Sequence, residues 1–451
     1  MTIFALSTPP GRGAIAMIRL SGERSSLALQ SLSAKALPEL RRASVRQLSD
    51  PLTGQPIDEA VVLRFEAPHS FTGEDMLELH VHGGIAVVDS LLSALASIDG
   101  LRPAEAGEFS KRAVLNGRLD LTRAEGIADL IDAESEAQKQ QALRQMSGVL
   151  GVLYEKWRDQ IKTGLAHLEA DLEFAEEDLP GGLGQSALDG LEDLLPEMRA
   201  HLSEDRGERL REGVCVAIIG PPNAGKSSII NRLAGRDAAI VSARAGTTRD
   251  VVEVAMVLGG VPVTLSDTAG LREAEDEIEQ EGVRRARLRA EEADLRLLVT
   301  APDVELSELE GGSVKDIMKP GDFWLHNKSD LVSPASADVA ASKYADGANY
   351  RHYTVSAETE QGIDDLLNQL SSEISRRFGL SERPSLTRAR HRKALEEAVL
   401  FLQSAMDARS RGLELAAEDL RMSSRALGRI TGAVDVEALL DIVFADFCIG
   451  K

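Results

Sequence analysis

Residues Gly220 to Ser227 read G-x-x-x-x-G-K-S and follow the unbroken apolar run Val214 to Ile219. Glycine at both ends lets the backbone curl, so that N–H groups along Asn223, Ala224, Gly225, Lys226, Ser227 and Ser228 converge on an anion. Lys226 is long enough to reach the terminal phosphates, and the Ser227 hydroxyl is an oxygen ligand for Mg2+. The chemistry on offer is binding of a nucleoside polyphosphate. An ordinary glycine turn would not stand between a buried strand and the helix expected from Ser227 to Leu233.

A phosphate cradle alone does not distinguish ATP from GTP. Asn327, Lys328 and Asp330 form an N-K-x-D run after a strand, and there the Asp330 carboxylate accepts from guanine N1–H and the exocyclic amine. Adenine would leave that carboxylate unpaired, which discriminates by orders of magnitude. Asp267, Thr268, Ala269 and Gly270 lie between the two motifs, where Asp267 can hold Mg2+ through water and the Gly270 N–H can touch the γ-phosphate. Ser356, Ala357 and Glu358 supply the third base contact. Gly246 to Asp250 reads G-T-T-R-D and occupies the place of a switch that brings Thr248 to Mg2+ and the γ-phosphate. The order of these elements predicts GTP as the ligand.

Alternating strands and helices must position these residues. The sequence from 213 to 378 predicts one α/β domain, with strands at Val214–Ile219, Val251–Val257, Val261–Ser266, Leu295–Thr300, Phe323–His326 and Tyr353–Val355. Residues 1–116 mix strands such as Ala14–Leu20, Ala60–Phe65 and Met76–Val81 with a helix from Ala86 to Ser97, an α+β pattern. Residues 117–212 carry helical spacing, sustained from Leu119 to about Leu179 and again from Ser186 to Glu204. Residues 379–451 return to long amphipathic helices. Neither helical block is large enough to stand alone, so the two are expected to pack as one discontinuous helical domain with the nucleotide domain inserted. The fold class is multidomain α/β, with a mostly parallel sheet in the nucleotide domain.

At 451 residues the chain exceeds one ordinary core, and a hydrophobic content of 43% excludes global disorder. No apolar run reaches the ~20 residues of a membrane span, and the N-terminus has no basic leader, so a cytoplasmic protein is expected. Two cysteines, Cys215 and Cys448, build no disulfide framework. A formal charge of −22 disfavours an autonomous nucleic-acid binder, because phosphate repels an acidic surface. His80 and His82 share one face of a strand and invite a metal, but no further ligand stands near them in sequence.

Asn223 in the loop, G-T-T-R-D in the switch, D-T-A-G-L-R from Asp267 to Arg272 and the terminal F-C-I-G-K together resemble the MnmE (TrmE) family of tRNA-modification GTPases. The resemblance spans the chain, including Thr8 to Gly13 and the run Ser70 to Asp75, S-F-T-G-E-D. It implies an N-terminal folate-binding domain, a Ras-like P-loop G domain and a GTP hydrolase. Ras-like enzymes orient the attacking water with a glutamine after D-x-x-G, whereas Leu271 stands here. The family match instead implies K+ held by Asn223 and the segment Ser242, Ala243, Arg244, Ala245, Gly246 and Thr247, with Ser242, Arg244 and Thr247 among its ligands. It also implies that paired G domains order the switches, that Glu279 positions water, and that Arg249 and Arg272 tie the switches to it.

The same resemblance implies a homodimer that binds 5-formyl-tetrahydrofolate or a related one-carbon folate through Arg19, Glu78, Arg118 and a folded-back Lys451. Cys448 is implied near the transferred carbon as nucleophile or acid/base, its role open because thiolate reactivity needs a lowered pKa. The family reaction installs an aminomethyl-type group at C5 of the wobble uridine of certain tRNAs, leading to 5-carboxymethylaminomethyl-type products. It does so with the flavoprotein MnmG (GidA), which would supply most of the grip on tRNA. A purely regulatory GTPase and a folate-dependent transferase with GTP as a structural ligand stay open as alternatives.

Overall fold

The computed structural model describes residues 1–173, 183–235, 253–267, 287–302, 317–332, 350–381, 383–408, 412–434, 436–445, 447 and 449–450. By its internal contacts the chain divides into two compact units, one of residues 1–128, 144–199 and 393–451, the other of residues 129–143 and 200–392.

The first unit contains a six-stranded sheet built from β1 (Thr2–Leu6), β2 (Ile15–Ser21), β3 (Ser44–Ser49), β4 (Pro56–Phe65), β5 (Met76–His82) and β6 (Leu101–Pro103), in the order β3-β4-β5-β2-β1-β6. All neighbours are antiparallel except β1 and β6. Period-two alternation sends Ala16, Ile18 and Leu20 of β2 and Leu77, Leu79 and Val81 of β5 to one face, where α1 (Ser25–Leu32) and α2 (Ile85–Ala96) cover them. In α2 the most buried side chains are Val88, Leu91, Ala94 and Leu95. Val87 and Leu92 pack, partly buried, at the edge of the same cluster. The opposite face of the sheet carries Arg19 and Glu78, which the register sets directly across from each other.

The long helical stretch expected from 119 onward is three helices, α4 (Leu121–Asp132), α5 (Glu136–Met146) and α6 (Val149–Glu173), after α3 (Glu108–Leu115). The apolar period runs through the joints, but Gly148 adopts φ 89°, which a helix interior does not allow. The single helix expected from Ser186 to Glu204 is likewise two, α7 (Leu183–Asp189) and α8 (Leu194–Leu202), with Gly190 in the turn between them, and α9 (Arg206–Glu212) follows in the chain. Beyond α12 (Ala389–Asp407), α13 (Leu413–Thr431) lies along α6, with Arg421 paired to Glu169 at 2.7 Å and the Thr431 hydroxyl on Glu155 at 2.6 Å. A last helix, α14 (Val436–Ala445), packs Leu440 and Phe444 on Leu121 and Ala124.

In the second unit six strands follow the order β12-β11-β10-β7-β9-β8. They are β7 (Val214–Ile219), β8 (Glu253–Leu258), β9 (Val261–Asp267), β10 (Leu295–Thr300), β11 (Phe323–His326) and β12 (Arg351–Thr354). All pairs are parallel except the β8–β9 hairpin, turned by Gly259 and Gly260. Strands buried on both faces read as continuous apolar runs, which is why β7 and β10 were legible. Arg296 breaks that rule inside β10, fully buried, and donates to the carbonyls of Ala290, Glu291 and Ala293. The helix α11 (Ile363–Phe378) covers one face of this sheet with Ile363, Leu366, Leu370 and Ile374.

Candidate functional site

The phosphate loop leaves β7 and runs into α10 (Lys226–Ala234). Gly225 opens that helix at φ 93°, and a Cβ there would collide with Asn327 Nδ2, so the close approach of the two loops requires glycine. Lys226 is buried and donates through Nζ to the carbonyls of Gly220 and Pro221, both at 2.9 Å, which bends its ammonium over the loop. Asn223 sits exposed at the loop's tip with φ 59°. Ser227 Oγ donates to Asp267 Oδ2 at 2.7 Å, while buried Asp267 Oδ1 has no hydrogen-bond partner among the described residues. A serine hydroxyl and an orphaned carboxylate oxygen at a helix N-terminus are the hard oxygen donors that a phosphate-bound Mg2+ takes, so the residues present fit that ion.

Opposite the phosphate loop, β11 ends in Asn327 to Asp330, with Lys328 at φ 57° and a short 3-10 turn at Ser329–Leu331. Buried Asn327 joins three segments: its Nδ2 donates to the Ala224 carbonyl at 2.8 Å, and its Oδ1 accepts the Ala357 N–H at 3.0 Å. Asp330 is exposed, and its Oδ1 accepts the hydroxyl of buried Ser356 at 2.5 Å. Ser356 in turn accepts the Thr359 N–H at 3.1 Å. The carboxylate fixed in this way lies in the crevice beyond the ends of the parallel strands, where open α/β sheets take their ligands. Next to it His326 Nε2 and His352 Nδ1 share a hydrogen bond at 3.1 Å, and burial, helped by His352, pushes His326 down to about 4.

Of the residues expected in this site, the structure brings together Asn223, Ala224, Gly225, Lys226, Ser227, Ser228, Asp267, Asn327, Lys328, Asp330, Ser356, Ala357 and Glu358. Ser242, Ala243, Arg244, Ala245, Gly246, Thr247, Thr248 and Arg249, and likewise Thr268, Ala269, Gly270, Arg272 and Glu279, lie outside the described residues. Sequence reasoning passed over Arg232, in the last turn of α10, which donates to the Ala357 carbonyl at 2.8 Å. A single arginine on an amphipathic helix carries no local sign of such a role.

The other sheet carries a second candidate site. Arg19 Nε and Nη2 both donate to Glu78 Oε1, at 3.2 and 3.0 Å, and the guanidinium lies 5.5 Å from the Phe71 ring centre and 5.9 Å from that of Phe109. Glu78 Oε2 is left to His80, whose Nε2 stands 3.6 Å away, beyond hydrogen-bond range. Arg118 packs against the loop that bears Phe71: a Cβ at Gly73 would stand 3.2 Å from Arg118 Cγ. The S-F-T-G-E-D run thus touches both cations, a part for it that sequence alone did not supply. His82 is engaged by Asp58 at 2.8 Å, and no group of three or more His, Cys, Asp or Glu among the described residues could hold a metal.

The C-terminal tail lies against this unit. Ile449 bridges to Ala106, and the Gly450 carbonyl accepts the Ser7 hydroxyl at 2.8 Å, just beyond β1 and two strands from Glu78. Cys448 and Lys451 lie outside the described residues. Cys215 sits in β7, where burial pushes its thiol up and away from reactivity.

Comparison with known proteins gives consistent matches along the chain. Residues 121–448 match a family model described as the MnmE helical domain, and residues 2–118 match the GTP-binding protein TrmE N-terminus. The tRNA modification GTPase MnmE of Parvibaculum lavamentivorans is 51% identical over 453 residues, covering 100% of both chains. A mitochondrial 5-taurinomethyluridine tRNA synthase subunit of Danio rerio is 46% identical over 471 residues, covering 100% of this chain and 93% of the other. Among solved structures, an Era variant from Aquifex aeolicus bound to GDP and aluminium fluoride is 25% identical, with a TM-score of 0.29, covering 42% of this chain and 67% of that one.

Proposed function

Because the chain belongs to the MnmE family of tRNA-modification GTPases, we propose that it binds GTP with Mg2+ in its second unit and hydrolyses it to drive modification of the wobble uridine of certain tRNAs. The observation that carries this reading is Asn327, which ties the phosphate loop to the base loop while Ser356 holds Asp330 beside it. One hydrogen-bonded network thereby joins the phosphate loop to the loop that would take the base. Ser227 and Asp267 would hold Mg2+, with Thr248, and the ion when bound neutralises charge on the phosphates. Lys226 draws the terminal phosphates, and Asp330 rejects adenine.

Hydrolysis is K+-dependent in this proposal. Asn223, with Ser242, Arg244 and Thr247, holds K+ where another GTPase would use an arginine finger, and Glu279 positions the water with help from Arg249. G domains of two copies pair during turnover. In the first unit Arg19, Glu78, Arg118 and Lys451 hold 5-formyl-tetrahydrofolate or a related one-carbon folate, and Cys448 serves the transferred carbon. The carboxylate of Glu78 suits the amide-like edge of a pterin, and the two arginines suit the anionic tail. The working assembly is a homodimer joined by the flavoprotein MnmG (GidA), in the cytoplasm, with four chain segments (1–116, 117–212, 213–378 and 379–451) forming folate, helical and G domains.

GTP turnover by the purified chain at matched ionic strength in KCl and NaCl tests the reading. Faster turnover in K+ is expected. Equal rates remove the role given to Asn223, and no turnover in either salt removes the hydrolase.

A further inference from the structure

The base loop from Ser356 to Glu360 is held from two sides, and only one of them belongs to the guanine motif. On one side Asn327 accepts the N–H of Ala357. On the other, the Arg232 side chain reaches across from α10: Nε donates to the Ala357 carbonyl at 2.8 Å, Nη1 meets Glu360 Oε1 at 2.7 Å, and Nη2 lies 3.5 Å from the Glu358 carbonyl. Both polar groups of Ala357 are therefore fixed by side chains. Arg232 stands six residues past Lys226, about 9 Å along the helix axis at 1.5 Å per residue. One end of α10 is at the phosphate loop and the other is at the base loop.

The ion pair with Glu360 is worth little, because 41% and 46% of the two side chains are exposed. The bonds to carbonyls matter more, since a planar guanidinium fork fixes direction as well as distance. Glu360 itself sits at φ 64°, a conformation seldom adopted without support, and the fork lands beside it. From Ala357 the restraint passes one residue back to Ser356, whose hydroxyl holds Asp330 at 2.5 Å.

We propose that Arg232 is a positioning residue for guanine recognition, holding the base loop so that Ser356 keeps the Asp330 carboxylate aimed at the base. The inference rests on the guanine-nucleotide reading of the site and adds to it a residue outside the motifs. It makes α10 the part that sets base loop and phosphate loop at one fixed spacing.

The test is the affinity of the full-length protein for GDP and for IDP, which lacks the exocyclic amine that Asp330 reads. The wild type, Arg232→Ala and Arg232→Lys are compared. Arg232→Ala is expected to weaken GDP about tenfold and IDP less than about threefold, so the ratio of the two affinities falls. Arg232→Lys keeps the charge but not the fork and should lose most of the ratio as well. The ratio does not depend on the folded fraction, so a less stable variant still gives the answer. Equal weakening of GDP and IDP, or no change in either, would overturn the proposal and make Arg232 a tie of the fold alone. A wild type that binds GDP and IDP equally would instead overturn the guanine reading beneath it.

Discussion

Ser356 donates its hydroxyl to Asp330 through a 2.5 Å hydrogen bond. A carboxylate locked in this way pairs with groups that donate and repels groups that accept. Asp330→Asn turns one acceptor into a donor, which suits the C2 carbonyl of xanthine. The variant should lose GTP affinity by about a hundredfold or more and gain xanthosine triphosphate, as competition binding would report. Unchanged preference for GTP would mean that the base is read elsewhere.

In the first unit the Glu78 carboxylate gives one oxygen to Arg19, and the other has no bond from it. Glu78→Gln removes the charge with little change of shape. Affinity for 5-formyl-tetrahydrofolate should fall about tenfold or more, while GTP turnover stays within about twofold. Titration calorimetry and a phosphate-release assay on the same sample separate the two effects. Loss of both would show that Glu78 supports the fold rather than a ligand.

Gly450 has φ 94°, and a Cβ there would run into the Leu6 carbonyl. Alanine at this position cannot keep the tail on β1 without strain, by an amount of about 1–3 kcal/mol. Gly450→Ala should loosen Ile449 from Ala106 and abolish tRNA modification, with GTP hydrolysis unaffected. Full modification by this variant would detach the tail from the chemistry.

Acid should weaken the second unit in two stages. His326 is held at about 4, against 6.5 when unfolded, so the unfolded chain takes up a proton first. Stability that is complete above pH 6.5 is lost as pH falls toward 4. Glu373, 2% exposed, is held by hydrogen bonds from Arg376 and Arg377, with Arg351 also paired to it, at about 2 against an ordinary 4.5. Its contribution is complete above pH 4.5 and is lost as pH falls toward 2. Glu373→Gln should cost about 1–3 kcal/mol at neutral pH and nothing near the lower limit. Thermal melts across pH check this, and a constant cost at every pH would assign the effect to packing.

The nucleotide site was legible because its parts are local. Val214 to Ser227 is a strand, a loop and a helix start in fourteen consecutive positions, and each carries its own pattern. Arg19 and Glu78 are different. They face each other through strand register, across 59 residues, and only the family resemblance marked them. The contacts of Arg232 and Phe71 were not legible for the same reason, since each depends on a partner far along the chain. The helix joints at Gly148 and Gly190 escaped because apolar spacing continues through them, while the backbone at Gly148 does not. A sequence shows which faces are apolar more readily than where a helix stops.

The proposed coupling has nucleotide turnover at Gly220 to Ser227 drive modification of tRNA. Its most direct measurement is nucleoside analysis of tRNA from a strain lacking the gene and supplied with either the wild type or Lys226→Ala at equal protein levels. The wild type should restore the 5-substituted wobble uridine, and Lys226→Ala should leave it unmodified, because the ammonium that draws the terminal phosphates is gone. Full modification with Lys226→Ala, or none with the wild type, would contradict it.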